Sequence, residues 1–530
     1  MQTNYIKFSD KYIKNYQSSI NKLQQFTNYI NFNKLLIDDF DINSTIDQDI
    51  INSYTRDWSN IKGNAELLCR PNTQDQCAIL LYICNHYKIP ITISAGKTNL
   101  TGSATPFGGV VLSTEKMLTP NVQVDISNKE VISSVGISLE DMRNEVLNQS
   151  NGELHYPVDP TSRYDAFVGG TLSCNASGFI PGEKGATRYW VQNLEFVLTN
   201  GYVVNIQRGQ YKSKNGIFIF DCKGQKIEVP ILRYNRPNIK NASGPYSSKN
   251  HAIDLIDFIV GSEGIFGMIL SCAFKLADRP KDYLELFIRL QGESQAIDFH
   301  SYLYNYFNQD MSRITALEYF GFNCQNYMKN KQLLFNNSNE VGIYLQIPIF
   351  CSSLETKIEE WSNIIGDFDK AISLDDIIVL NEPTKWKIFF DARHSIPDNA
   401  LTKTRKIGGI SIITDTIVPQ ENFKKYIKSI HSKLKTENIE YLLFGHLGDC
   451  HLHFHLIPSK NQHVKSLEVY DYMIDLSAKL GGVYSAEHGT GKRKKNDFVK
   501  CYGKSAIKMV YNTKKAVDPN FILNRLNVID

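Results

Sequence analysis

Three glycine-rich stretches, far apart in the chain, constrain its fold more than any other feature: SAGKTNLTG at 94–102, VGGTLSCNASG at 168–178 and GSEGIFG at 261–267. Glycine removes the Cβ where backbone must come close to something else, and one such loop is common whereas three call for a shared cause. The first lies between the apolar runs ITIS and VVLS, so it reads as strand, loop, strand. Its N–H groups, with Thr98, Asn99 and Thr101, are donors suited to an anion such as a pyrophosphate. None of the three matches G-x-G-x-x-G opening a helix, which excludes the Rossmann fingerprint. A dinucleotide held by a different fold is the reading these segments support.

The remaining chain is organised around that expectation. At 530 residues it exceeds one core. Apolar spacing at Ile20, Leu23, Phe26 and Ile30 predicts a helical extension over 1–61. QDQCAILLYICNHYKI predicts a helix after Pro71, and LEFVLTNGYVV predicts a hairpin closed by a type I′ turn at Asn200-Gly201. From about 280 the pattern alternates strands with amphipathic helices, predicting an antiparallel sheet backed by helices. The expected division is 62–280, 281–480 and 481–530. A net charge of only +3 gives no basic stripe for nucleic acid. No run of 18 apolar residues occurs, so no membrane-spanning segment is expected. Ten dispersed cysteines without C-x-x-C read as reduced thiols of a cytoplasmic protein.

The segment FGHLGDCHLHFHLIP holds 4 of the 12 histidines. On a strand, His451, His453 and His455 share one face at ~6.6 Å spacing. With His446 just before them and a carboxylate in AEHG, they suit Zn²⁺ or Mn²⁺.

Taken in order, RPNTQDQ, SAGKTNLTGSATPFGGVVLS, YPVDPTSRYDAFVGGTLSCNASG, GATRYWVQNLEFVLTNG, IVGSEGIFGMI, FGHLGDCHLH and GGVYSAEHGTGKRK resemble the FAD-linked oxidases. The likeness is to the vanillyl-alcohol oxidase and p-cresol methylhydroxylase superfamily, in its D-lactate and D-2-hydroxyglutarate dehydrogenase branch, over about 62–524. It implies an α+β fold: a two-subdomain FAD-binding domain, a cap domain with an antiparallel sheet and helices, and a C-terminal segment returning to the flavin.

By the same resemblance Gly96, Lys97, Thr98, Asn99, Thr101 and Gly102 cradle the FAD pyrophosphate, Lys97 standing where the family often has glycine. Gly169, Gly170, Asn175, Gly178 and Thr187 line the flavin, with Glu263 and Ile269 beside the adenosine half. His446, His453 and Glu487 fall on the metal-ligand positions, while Cys450 and His451 replace the usual Gly-Asn. The implied activity is metal-assisted oxidation of a D-2-hydroxy acid, D-lactate or similar, by hydride transfer to flavin N5. In that reaction His488 suits the proton acceptor and Arg393 the carboxylate clamp. Electrons would pass to a quinone, a cytochrome or an electron-transferring flavoprotein. A cytoplasmic location, or one peripheral to the inner membrane, is expected, with a homodimer among the assemblies allowed. The alternatives are a redox-neutral transferase like alkyl-dihydroxyacetone-phosphate synthase and a non-enzymatic flavin- and metal-binding protein.

Overall fold

A computed structural model describes residues 5–530. The helix Gln74–Tyr87 forms as expected. Thr73 accepts the N–H of Gln76 at its start, and Lys88 closes it in a left-handed conformation before Pro90. The strands Ile91–Ser94 and Val110–Ser113 follow, paired in parallel with Ile91 opposite Val110, so the first glycine-rich loop joins neighbouring strands of a four-stranded sheet. A five-stranded antiparallel sheet lies in the same half, with Met268–Lys275 between Val191–Val197 and Glu130–Ser134.

Two local expectations are corrected. The hairpin Val191–Val197 to Val203–Gln207 is present, but only Gly201, and not Asn200, has positive φ. Its N–H donates to Leu198 O at 2.9 Å, giving a type I turn ended by a left-handed glycine instead of type I′. The N-terminal stretch is helical only in part: Ile6–Phe8 is a strand parallel to Ile217–Cys222, helices end at Ile20, and the next runs Tyr29–Phe40. Residues 21–28 leave the helix, Asn28 caps the following one, and Phe26 packs on Tyr29, Phe32 and Tyr87 while Ile30 is exposed.

The expected antiparallel sheet is seven-stranded, in the order Ile377–Val379, Asp282–Leu290, Val341–Ile349, Ala316–Phe320, Tyr441–His446, His451–Leu456, Ile412–Ile413. One apolar core runs from Ile6 to Leu276 and takes in Ile474 to Ile529, whereas a second spans Leu284 to Leu480. Between the glycine-rich loops and the inner end of this sheet lies a cavity of about 710 Å³. Among the described residues no helix is long and apolar enough to cross a membrane.

Candidate active site

One wall of the cavity is mostly backbone. A Cβ on Gly96 would stand 1.9 Å from Asp165 O, on Gly169 2.8 Å from Val135 and on Gly178 2.5 Å from Asp159, so these glycines let loops stack on one another. Gly170 differs: its Cβ would meet only Ala95 at 3.4 Å, and it faces the cavity. Thr98, Asn99 and Ile269 also line this wall. Asn99 Oδ1 accepts the N–H groups of Thr101 and Ser103 at 2.8 and 3.0 Å, which fixes the loop. Glu263 lines it too, with Oε1 accepting Thr490 N–H and Oε2 accepting Gly491 N–H, both at 2.7 Å.

Two residues assigned to the pyrophosphate cradle, Thr101 and Gly102, and two assigned to the flavin, Asn175 and Thr187, stand behind this wall instead. Thr101 is fully buried and its carbonyl accepts the N–H groups of Lys492 and Arg493. Gly102 faces Ile61 and Lys492, Asn175 caps the N–H of Arg188 at 2.9 Å, and the Thr187 hydroxyl donates to Ala176 O at 2.8 Å. They brace the wall without forming it. Lys97 lines this wall with its neighbours, while its ammonium donates to Ser53 O at 3.0 Å and lies over the Tyr54 ring.

The opposite wall is built from ionisable side chains. His451–Leu456 pairs antiparallel with Tyr441–His446, which sets His453 opposite Phe444 and His451 opposite His446. The three alternating histidines do not stay together: His455 turns to Ser411 Oγ at 3.0 Å, and Cys450 packs against His300. His446, His451, His453 and Glu487 remain, their ligand atoms within 4.8 Å of one another. His446 Nε2 is 3.6 Å and His453 Nε2 3.4 Å from the Glu487 carboxylate. Their Nδ1 atoms are already engaged, by Glu318 at 2.7 Å and Thr414 O at 2.8 Å, which aims the Nε2 lone pairs inward. Both ring nitrogens of buried His451 lack a well-directed hydrogen bond. This donor set fits a divalent metal of the zinc or manganese type.

Burial would raise Glu318, yet His446 and Arg393 outweigh it and hold the carboxyl down at about 2. Burial likewise disfavours charge on His446, but Glu318 prevails and raises it to about 9, so a metal would displace a proton there. Arg393 Nη2 lies 3.3 Å from Glu318 Oε2, with its guanidinium over the Phe179 ring.

His488 also lines this wall, with Nε2 3.7 Å from Glu487 and Nδ1 3.4 Å from Asp415. Burial first, then the nearby Lys494 charge, lowers it to about 4 against the pull of Asp415, so the imidazole is neutral at physiological pH. Asp415 is fully buried; it accepts the His488 N–H at 3.0 Å and the Lys494 ammonium at 2.9 Å.

Three neighbours escaped the sequence reading. Glu318 had a signal, a lone carboxylate in the apolar run ALEYF, and Asp415 had one in TDTIVP. Lys240 had none, yet its buried ammonium stands 3.1 Å from Glu487 and 3.5 Å from Asp449.

The glycine wall fits FAD: it offers backbone approach along the cavity, and the buried Thr114 and Ser177 hydroxyls lining it have no partner. Together the sheets and the cavity define an α+β flavoprotein fold of the p-cresol methylhydroxylase type. A family model described as an FAD binding domain matches residues 65–207, and one described as FAD linked oxidases, C-terminal domain, matches 315–528. The chain belongs to the FAD-linked oxidases. It is 24% identical to a D-lactate dehydrogenase of Anaerostipes hadrus, over 90% of this chain and 93% of that one. It is also 24% identical to a mitochondrial D-2-hydroxyglutarate dehydrogenase of Danio rerio, over 90% and 81%. Among solved structures, p-cresol methylhydroxylase with substrate bound superposes with a TM-score of 0.65 at 15% identity, over 92% of this chain and 94% of that one. An alkyldihydroxyacetonephosphate synthase gives 0.62 at 14%, over 91% and 81%.

Proposed function

We propose that this protein oxidises a D-2-hydroxy acid to the 2-oxo acid, with FAD on the glycine wall and a divalent metal held by His446, His453 and Glu487. The observation that carries this reading is the His488 imidazole in the same cavity as the His446, His453 and Glu487 cluster and facing a wall shaped for a flavin. When bound, FAD supplies the acceptor for the hydride that leaves the substrate Cα, and the metal supplies Lewis acidity toward the hydroxyl. The chain supplies the rest. Asp415 facing Nδ1 of His488 favours a proton there and leaves the Nε2 lone pair to take the hydroxyl proton. Arg393, its charge only partly offset by Glu318, has further N–H groups for the substrate carboxylate. Asp415 and Thr414 O act as positioning groups, holding the two histidine rings in their tautomers.

Electrons would leave through an external carrier such as a quinone, a cytochrome or an electron-transferring flavoprotein. The test is anaerobic mixing of FAD-loaded protein with D- and L-2-hydroxy acids, with and without chelator. Bleaching of the flavin by a D-isomer, lost on chelation, is expected. No bleaching by any hydroxy acid refutes the reading, and bleaching untouched by chelator refutes the metal.

A further inference from the structure

Beyond the ligand cluster the cavity continues along the helix Pro383–Lys406. Arg393, Pro397 and Leu401 recur every four residues and therefore share one face of that helix, and all three line the cavity. Arg393 stands at the inner end, paired with Glu318 beside His446. The eight steps from Arg393 to Leu401 span ~12 Å of helix axis. Along that length the lining is apolar: Pro397, Leu401 and Ile413, with Phe179 and Phe444 flanking the histidines at ring distances of 5.7 Å from His446 and 5.9 Å from His453.

Charge is distributed as unevenly as polarity. Among the described residues lining the cavity only Lys97 and Arg393 are lysine or arginine, and the Lys97 ammonium is committed to Ser53 O and the Tyr54 ring. His394, next to Arg393, has its Nδ1 2.9 Å from Phe390 O, within its own helix. One carboxylate therefore finds a cation at Arg393, and a second, farther out, would meet half-buried Pro397 and Leu401 and exposed Ile413 with no lysine or arginine facing it.

Resting on the function proposed above, we infer that the substrate is a 2-hydroxy acid with an apolar side chain of about four to six carbons laid along Pro397, Leu401 and Ile413, and not a hydroxy dicarboxylate.

The experiment compares anaerobic flavin reduction by D-2-hydroxyhexanoate, D-lactate and D-2-hydroxyglutarate. The second-order rate constant for the hexanoate should exceed that for D-lactate by roughly 10- to 100-fold, from three additional buried methylenes, and D-2-hydroxyglutarate should be slowest. If D-lactate or D-2-hydroxyglutarate is fastest, hydroxy-acid oxidation stands and the apolar side-chain site falls. If none of the three reduces the flavin, both fall together. Leu401→Arg places a cation on this face without touching the ligand cluster. With FAD content unchanged, it should lower the hexanoate rate and raise that of D-2-hydroxyglutarate, each about 10-fold. An unaltered ratio in that variant would also overturn the inference.

Discussion

The wall built on the glycine-rich loops and the wall built on residues 318–488 enclose the same cavity with opposite materials. The first presents glycine and small side chains, braced from behind by Thr101, Asn175 and Thr187. The second presents Glu318, Arg393, His446, His453, Glu487 and His488, each fixed by another ionisable or backbone group. Geometry made from backbone is insensitive to protonation, whereas a network of buried charges depends on every member. Binding and chemistry should therefore be separable by mutation.

The largest separation is expected for His488→Gln, which should slow flavin reduction roughly 10²–10⁴-fold while FAD and metal contents stay at wild-type levels. A wild-type reduction rate in rapid-mixing measurements would remove His488 from the chemistry. His453→Ala should weaken metal binding about 10- to 100-fold and leave FAD occupancy intact, read by metal analysis and flavin absorbance on one sample. Parallel loss of flavin would show that the walls are not independent. Gly170→Val is the converse: its side chain enters the cavity, so FAD affinity should fall roughly 10-fold or more with metal binding retained.

Acid sensitivity should blur the contrast, since each half holds a desolvated histidine, half-buried His155 and buried His300. Burial lowers His155, in the glycine-rich half, and His300, in the cap, to about 4. Their unfolded value is near 6.5, so the unfolded chain binds more protons below that pH and stability declines as pH falls from 6.5 toward 4. Each should account for about 2 kcal/mol by pH 4.5. Urea midpoints across that range should flatten in His155→Gln and in His300→Gln, and an unchanged slope in both would contradict these assignments. The smallest effect is expected for Thr187→Ala, which removes one buried hydrogen bond at about 1 kcal/mol without altering FAD affinity. Weaker FAD binding in that variant would return Thr187 to the cavity surface.

The glycine wall was legible in the sequence because close approach leaves a compositional trace, and the helix Gln74–Tyr87 because its cap and apolar residues are local. The shared face of His451, His453 and His455 followed from strand alternation, but which of them converge did not. His455 is drawn off by Ser411, 44 residues earlier. The brace that orients His488 comes from Asp415, 73 residues away, and Lys240 reaches Glu487 from a loop with no distinguishing pattern. Long-range pairing of buried charges depends on how the sheets close, which spacing along the chain does not encode. The partners of the Lys97 ammonium were equally illegible, since Ser53 and Tyr54 reach it from outside the loop.

The strand Ile91–Ser94 that launches the first glycine-rich loop is completed by the far end of the chain. Ile91 N–H donates to Ile522 O, and Ile93 N–H donates to Asn524 Oδ1 at 2.8 Å across a separation of 431 residues. Asn524 also donates to Glu263 O at 2.9 Å. At a translation speed of about 5–20 residues per second, this edge would wait roughly 20–90 seconds on the ribosome for its partner. During that interval the unpaired edge of the strand is open to wrong pairing, so this early-made half of the site is completed only after residues 522–524 have been made.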